Sequence, residues 1–559
     1  MTTPKEEQLP SRAPSSAPST RAWPSARTVA RGAVLMREAL LLAALCWMLW
    51  PLWAVPHPPI QDLPQHLAAV RVLHDYHDPA LRFSEYFSLS LGSTQYLAVY
   101  LVADALAYLV NVRTALLIVL SVSLLALPYA MRWLLRAAGR DEWLCLWTLP
   151  FLWSAHVLLG FLNFVAALPL MLCGLALAFG IASRRSNATE PPLAERARLS
   201  GRGWALALVS LLCFFTHIVP AAFLVLGAAL LLVRGPRREL WQRMWPLLPV
   251  VLGGLLWALA THAGRSVLAA LGLLPSPAGM PAPLYDDWAR AVELIPRWLT
   301  EVLKTREDER LLWIVGWLAC LSAVIAWRWP AKVTESLRAT IWLAPLPVLA
   351  AVAYFWLPEA HDWIWPINGR MPLLCVLLAL PLLPSPPGWW GRAFGALVLV
   401  VALRGAWLVG NAFRVHERAL EGFDACVEQV PQGARVAGLI FDAGSTSVQF
   451  APLLHAAAWV QAEKGGVAMF TFADFPQSPF RFREDHRPPR VPPRWEWMPQ
   501  RVQPDRDLLW YDFVLVRRGP GVIQRARHFR LVQRIGDWSL WQRLPTSRQD
   551  DLEDATGRP

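Results

Sequence analysis

The stretch AVLMREALLLAALCWMLWPLWAV, Ala33–Val55, and the polar segment that follows it, HPPIQDLPQHLAAVRVLHDYHDPALRFSEY at residues 57–86, decide the fold class. A helix needs about 20 predominantly apolar residues to cross a bilayer, and the first stretch supplies them. It is longer than the apolar region of a signal peptide, and no clear small-x-small cleavage site follows it. We therefore interpret it as an uncleaved first membrane span that delivers a polar loop to the far side.

The rest of the chain repeats this alternation of apolar stretches and polar loops. Of its 559 residues, 55% are hydrophobic and only 17% are charged, against about 25% charged residues in an average soluble domain. The net charge of +12 comes mainly from arginines between apolar stretches, as the positive-inside rule predicts. These values exclude a disordered chain, a nucleic-acid-binding module and an ordinary soluble enzyme. Because six of the seven cysteines lie in apolar stretches, no disulfide framework is expected.

Arginine-rich loops mark the cytoplasmic side and fix the parity of the spans between them. Between His57 and Arg132 parity allows one crossing, which we assign to Thr114–Tyr129, with Tyr96–Val110 as a juxtamembrane helix. Trp143–Ile181 and Gly203–Val233 are predicted hairpins, turning near His156–Asn163 and at Thr216–Pro220. The sum is a polytopic α-helical membrane protein with about eleven spans. The predicted cytoplasmic loops are Arg132–Arg140, Arg184–Arg202, Arg234–Arg243 and Arg328–Arg338.

The chain is predicted to have three parts. Residues 1–32 read as a disordered cytoplasmic tail, and residues 33–412 as the membrane domain, with a first outer loop at 56–111. Because an odd number of spans separates the termini, residues 413–559 are placed outside as a small soluble α/β domain.

The C-terminal part is predicted to contain a helix, buried strands and a long loop. Val415, Ala419, Phe423 and Val427 recur every four residues, which indicates an amphipathic helix. Residues 470–494 are rich in proline and arginine and are interpreted as a surface loop. The predicted strands are Arg435–Asp442, Trp510–Arg517 and the hairpin arms Arg530–Ile535 and Trp538–Arg543 around Gly536-Asp537.

The first outer loop carries the strongest candidates for chemistry. Asp62 and His66 lie four residues apart and share a face if a helix begins at Asp62. A carboxylate beside an imidazole suits general-base catalysis. Asp62 with Gln65 three residues later also fits a capping box, and spacing alone favours Asp62 as a helix cap. The nearby His74 and His77 match no standard metal-ligand spacing, so no metal site is predicted.

These features resemble the GT-C class of membrane glycosyltransferases, and in particular its protein-mannosyltransferase and aminoarabinose-transferase members. The resemblance rests on one span followed by Asp62 in QDLPQH, on GFLNF at Gly160–Phe164, and on Arg370 in NGRMP. It implies a sugar donor carried on a polyprenyl phosphate and a catalytic role for Asp62. The chain departs from the class in having no paired Asp-Glu at the first site, and in offering His156 and Asn163 where many members place an acid.

Two arginines are candidates for binding the donor phosphate. Arg370 lies where a late span begins, and a guanidinium can hold two phosphate oxygens at once. Arg404 lies inside the last apolar stretch, where a charge is costly and is either functional or directed to the interface. The candidates for lining the cavity are His156, Asn163, His217, Glu359, His361 and Asp362.

The leading hypothesis is a glycosyltransferase at the outer face of the inner membrane, with Asp62, and His66 beside it, as the catalytic residues. Its expected partners are a polyprenyl-phosphate-linked sugar, the bilayer, and an acceptor that is a glycan, a lipid or a protein. No cofactor and no nucleic acid are expected. The alternative is a transporter or lipid flippase, although the halves show no inverted repeat. A non-catalytic scaffold is a third hypothesis, which the polar cluster of the first outer loop disfavours.

Overall fold

The structure is a computed structural model that describes residues 26–182, 201–234, 239–275, 281–362, 364–489, 491–519 and 521–545. The chain divides into two compact units, residues 1–46 and residues 47–559. A helix runs over Ala26–Trp53, so the tail predicted over residues 1–32 is wrong for residues 26–32. Alanine and arginine favour helix in this stretch, and the last helix-breaking proline in the sequence before it is Pro24. The remainder of the predicted tail, and most of the loop Arg184–Arg202, lie outside the described residues.

Five described helices are long and apolar enough to cross a membrane: Val112–Ala137, Leu162–Ala182, Leu240–Ala260, Glu307–Ala326 and Trp389–Leu420. A further pair, Pro330–Arg338 and Ile341–Trp356, passes the same test together but is bent by 56°. Shorter apolar helices are Glu38–Trp53, Ala98–Ala107, Gly201–Thr216, Ile218–Leu232 and Asn368–Leu382. The helical membrane architecture is therefore confirmed, and the number of about eleven spans stays a prediction.

The predicted turns between helices are confirmed, and one hairpin arm differs. A turn separates Gly201–Thr216 from Ile218–Leu232, and another separates Ala155–Leu159 from Leu162–Ala182. The first arm of the hairpin Trp143–Ile181, however, begins as a 3-10 helix over Glu142–Phe151. Pro150 within it has no N–H to donate to a regular α-helix. The helix Ala98–Ala107 has ten residues, too few to cross a hydrocarbon core of about 30 Å.

The remaining helices are short, and most of them lie within the polar segments of the chain. They are Leu63–His74, Phe83–Tyr86, Ala155–Leu159, His262–Ala270, Trp288–Leu299, Phe423–Glu428, Ala456–Lys464, Pro504–Asp507 and Gly521–Gln524. Helix Leu63–His74 of the first outer loop packs against Ala456–Lys464 of the C-terminal part. The C-terminal part therefore lies directly over the first outer loop.

The C-terminal part contains a five-stranded sheet. Its strands are β2 (Arg435–Ile440), β3 (Val467–Ala468), β5 (Phe513–Arg517), β6 (Phe529–Ile535) and β7 (Trp538–Arg543). Their order across the sheet is β3-β2-β5-β7-β6. Strand β2 is parallel to β3 and β5, and β6 and β7 form the predicted antiparallel hairpin. All four strands that the sequence predicted are confirmed.

The continuous amphipathic helix predicted over 415–427 is wrong. The α-helix from Trp389 ends at Glu417 and continues as a 3-10 turn over Arg418–Leu420, and a new helix, Phe423–Glu428, begins after Gly422. Gly422 has φ +88°, and a Cβ there would lie 2.6 Å from Ile535. The helix is therefore interrupted at a position that only glycine can occupy, because the backbone there is left-handed and lies in close contact with β6.

The surface loop predicted over 470–494 is also wrong. Strand β4 (Phe480–Phe482) pairs with β1 (Phe87–Leu89) of the first outer loop, in antiparallel register from Phe87–Phe482 to Leu89–Phe480. Phe480 and Phe87 are fully buried, with ring centroids 5.1 Å apart. Burying each phenylalanine of this strand pair stabilises the fold by about 1.5–3 kcal/mol. The segment therefore packs against the first outer loop despite its many prolines and arginines.

Candidate active site

A cavity of about 820 Å³ lies between the first outer loop, the turn at residues 159–164 and the C-terminal segment 450–497. This volume is within the range of sites for small molecules and cofactors, about 300–1,000 Å³. Its polar lining comes from both halves of the chain, and its aromatic lining includes Phe161, Phe164, Phe450, Phe472, Phe475 and Trp497. The polar and charged residues that line it are Gln61, Asp62, Gln65, His66, Tyr96, Tyr100, Asn163, His217, Asp362, Arg370, His455, Thr471, Asp474, Gln477, Ser478, Arg494 and Glu496.

Asp62 lines the cavity and its side chain does not cap the helix. It is the residue before helix Leu63–His74, but it makes no side-chain hydrogen bond to the first turn. Its backbone carbonyl accepts the hydrogen bond from His66 N at 3.0 Å. The cap interpretation is therefore wrong for the side chain, which is left to face the cavity.

Gly160 supports Asp62 from the opposite side. The amides of Gln61 and Asp62 donate to the carbonyls of Leu158 and Leu159 at 2.8 and 3.2 Å. Gly160 has φ +89°, and a Cβ on it would lie 2.8 Å from Asp62 Cβ and 2.9 Å from Asp62 N. The glycine of GFLNF is thus required for the close approach that holds the Asp62 backbone.

His66 lines the same cavity, but both of its ring nitrogens are engaged. Nε2 lies 2.7 Å from the Gly160 carbonyl and Nδ1 lies 2.8 Å from the Tyr100 hydroxyl. The carbonyl only accepts, so Nε2 carries the proton and Nδ1 accepts from Tyr100. Burial lowers the pKa of His66, which keeps the ring neutral. The imidazole therefore holds Gly160 in place and has no free lone pair for a substrate proton.

The partners of Asp62 are His455 and, beyond it, Glu496, which sequence reasoning missed. His455 Nε2 lies 3.2 Å from Asp62 Oδ1, and His455 Nδ1 lies 2.7 Å from Glu496 Oε1. Burial by itself would lower the pKa of His455, but the Glu496 and Asp62 carboxylates outweigh it and raise the pKa to about 10. No spacing signal links these residues, because they come from the C-terminal part and meet Asp62 only through tertiary packing.

Two glutamines of the QDLPQH segment attach the C-terminal segment to the first outer loop. Gln65 Nε2 donates to the Phe470 carbonyl at 2.5 Å, and its Oε1 accepts from Phe472 N at 3.2 Å. Gln61 Oε1 accepts from Ala451 N at 3.1 Å. Gln65 thus fixes the cavity wall and does not complete the predicted capping box.

Arg370 lies inside the cavity wall, as predicted. It is 8% exposed, and its guanidinium carbon lies 5.0 Å from the centroid of the Phe161 ring. It donates to the Pro366 carbonyl, whereas its Nε is buried without a hydrogen-bond partner among the described residues. A buried cation with an unused donor beside a cavity suits an anionic ligand.

Arg404, the second predicted phosphate ligand, does not line the cavity. It lies on an exposed face of helix Trp389–Glu417, with its guanidinium carbon 4.2 Å from the Trp407 ring. Arg404 is therefore not part of this cavity, and its binding of a phosphate stays a prediction. The arginine instead covers an aromatic side chain on the outside of the helix bundle.

Of the six predicted lining residues, Asn163, His217 and Asp362 line the cavity, and His156, Glu359 and His361 do not. His156 is fully buried behind the wall, where its Nε2 donates to the Gly369 carbonyl at 3.1 Å. Glu359 accepts from Trp365 Nε1 at 3.2 Å, and His361 is buried in the neighbouring turn. His156 therefore supports the backbone next to Arg370 and does not contact the cavity.

The described part of the chain contains no group of three or more His, Cys, Asp or Glu residues with metal-binding geometry. The side chains that the site brings together include an aspartate paired with a histidine, and a buried arginine.

Comparison with protein-family models and with curated proteins finds no match. Among solved structures, the chain is similar to ArnT from Cupriavidus metallidurans bound to undecaprenyl phosphate, with a TM-score of 0.51, 12% identity, and coverage of 92% of this chain and 98% of that chain. The apo state of ArnT gives a TM-score of 0.45 at 12% identity over the same shares of the two chains. Arabinofuranosyltransferase AftD from Mycobacteria gives 0.46 at 14% identity, over 91% of this chain and 42% of that chain. The match to lipid-bound ArnT shows that the chain has the GT-C fold, as the sequence predicted.

Proposed function

We propose that this membrane protein is a glycosyltransferase that moves a sugar from a polyprenyl-phosphate donor to an acceptor hydroxyl. The observation that carries the proposal is the Asp62 side chain, which is free of its helix and faces a large cavity that Arg370 also lines. A carboxylate and a buried cation in one cavity provide the two groups that such a transfer needs.

In the proposed reaction the acceptor oxygen attacks the anomeric carbon of the donor sugar. The bond from that carbon to the phosphate oxygen breaks, and the electron pair leaves with the polyprenyl phosphate. The acceptor proton moves to Asp62, and the departing phosphate is stabilised by Arg370. The phosphate needs no proton to leave, so a single carboxylate is sufficient.

The choice of a lipid phosphate is supported by the fold and by the wall around Arg370. ArnT, whose fold the chain shares, was solved with undecaprenyl phosphate. In that wall Arg370 is buried and its Nε has no hydrogen-bond partner among the described residues, which leaves a donor for a phosphate oxygen. The acceptor is a glycan, a lipid or a protein.

The proposed topology places the site at the outer face of the inner membrane, with the N-terminus in the cytoplasm. Reporters fused after Arg196 and after Leu544 are expected on opposite sides of the membrane. Reporters on the same side would overturn this placement of the cavity.

The function is tested by turnover of labelled polyprenyl-phosphate sugars by purified wild type and Asp62→Asn. Asparagine keeps the shape and the capping ability of the residue but removes the base, so Asp62→Asn is expected to insert and fold normally and to lose transfer. The matched control is Asp287→Asn, because Asp287 also precedes a helix and does cap it, accepting from Arg290 N at 2.9 Å. Transfer by Asp62→Asn at the wild-type rate would show that Asp62 is not the base.

A further inference from the structure

The imidazole of His455 is held between two carboxylates at the edge of the cavity. Its Nε2 lies 3.2 Å from Asp62 Oδ1, and its Nδ1 lies 2.7 Å from Glu496 Oε1. The three side chains are 12%, 18% and 14% exposed for His455, Asp62 and Glu496. His455 directly precedes helix Ala456–Lys464, which packs on the helix that Asp62 begins, so two packed helix starts fix the contact.

The contacts with two carboxyl groups favour a charged ring at His455. An ionised carboxylate attracts a protonated ring nitrogen, and Glu496 and Asp62 together raise the pKa of His455 to about 10 against the effect of burial. Gln65 Nε2 also lies 3.4 Å from Nδ1, but it donates to the Phe470 carbonyl.

The contact with His455 distinguishes the two oxygens of Asp62. Oδ1 faces the imidazolium, whereas Oδ2 has no hydrogen-bond partner among the described residues. A carboxylate held at one oxygen by a fixed charge presents the other oxygen in a defined direction. Since Asp62 lines the cavity, Oδ2 is the oxygen left for a ligand there.

We propose that His455 is a positioning residue for Asp62, holding Oδ1 so that Oδ2 meets the acceptor hydroxyl. This inference rests on the proposed function. It assigns the C-terminal part a direct role at the site, because His455 and Glu496 both belong to it. Glu496 in turn keeps the His455 charge in place.

The other titratable or charged groups around this cluster are His66 on the first outer helix, Asp474 on the cavity wall and Arg494 beside Glu496. His66 is neutral and both of its nitrogens are engaged. Asp474 lies 3.6 Å from Arg487, and Arg494 is exposed. The direct ion-pair partner of Asp62 among the described residues is therefore His455.

Two substitutions test the proposal through the kinetics of transfer. His455→Gln keeps a polar side chain but removes the charged contact that holds Asp62 Oδ1, so kcat is expected to fall by about 10- to 100-fold, with an unchanged KM for the donor. Glu496→Gln keeps the imidazole but weakens its hold on the proton, so the alkaline limb of the pH profile of kcat/KM is expected to move downward.

The matched control is His57→Gln. His57 is a second buried histidine between two carboxylates, 3.3 Å from both Glu417 and Asp424, and it does not line the cavity. Its substitution is expected to leave kcat and the pH profile unchanged. A kcat of His455→Gln that equals the wild-type value, or that falls equally in His57→Gln, would overturn the proposal.

A measurement that needs no activity separates this inference from the proposed function. A double-mutant cycle of thermal stability with Asp62→Asn and His455→Gln is expected to be non-additive, because each substitution removes the same contact. Additive effects would overturn the positioning role even if transfer occurs. Absence of transfer by wild type with non-additive stabilities would overturn the proposed function and leave the Asp62–His455 contact established.

Discussion

Replacing Gly160 by alanine tests whether the position of the Asp62 backbone controls the site. An added Cβ would lie 2.8 Å from Asp62 Cβ and 2.9 Å from Asp62 N, against ordinary contacts of 3.4–4 Å. The two segments must therefore separate by about 0.6 Å, and displacements of about 1 Å cost up to about 100-fold in rate. We expect Gly160→Ala to lower kcat by about 10- to 100-fold in a labelled-donor assay.

Gly139→Ala separates this displacement from the cost of backbone strain. Gly139 has φ +68°, but a Cβ there would meet nothing within 4 Å. Both substitutions pay about 1–2 kcal/mol for a left-handed alanine, so both lower the melting temperature, and only Gly160→Ala is expected to lose transfer. Equal kcat values for the two variants would refute the argument that Gly160 positions Asp62.

Three further predictions concern the cavity. Arg370→Ala is expected to raise the donor KM by about 10- to 100-fold, since hydrogen bonds to a charged group contribute about 1.5–3 kcal/mol. The donor KM of Arg370→Lys should be intermediate, and that of Arg404→Ala should equal the wild-type value. Equal kinetics for Arg370→Lys and wild type would contradict phosphate binding by Arg370. Gln65→Leu leaves the Phe470 carbonyl and the Phe472 amide without their partner, so a loss of about 1–3 kcal/mol in stability and faster hydrogen exchange at 470–472 are expected, and unchanged exchange would contradict the contact. Folding raises the pKa of His455 from an ordinary 6.5 to about 10, so its stabilisation is fully present below pH 6.5 and is lost as the pH rises toward 10; the difference in melting temperature between wild type and His455→Gln should shrink over that interval, and a constant difference would contradict it.

The sequence predicts those parts of the molecule that depend on local pattern. Apolar length predicts the spanning helices, and alternation with turn residues predicts β2, β5 and the hairpin β6–β7. Asp62 and Arg370 are predicted as site residues because Asp62 precedes an outer helix and Arg370 precedes a late span. Both residues also match short motifs of the GT-C class.

What the sequence does not predict depends on contacts between distant segments. His455 and Glu496 belong to no sequence motif. They are recognisable as site residues only in the folded chain, where the starts of two helices pack together. The segment 470–494 looks like a surface loop by its prolines and arginines, yet β4 pairs with β1 across the first outer loop. The position of Arg404 outside the cavity is not predictable either, because composition gives the depth of a residue in a span but not the face of the helix on which it lies.

The most direct test of the account is a structure of the protein with a bound polyprenyl-phosphate sugar. We expect the phosphate against the Arg370 guanidinium, the lipid chain leaving the cavity toward the apolar helices, and the anomeric carbon facing the open Oδ2 of Asp62. A donor bound outside the cavity would contradict the assignment of this cavity as a site of sugar transfer. So would a donor bound inside it whose anomeric carbon lies too far from Asp62 for an acceptor hydroxyl at Asp62 to reach.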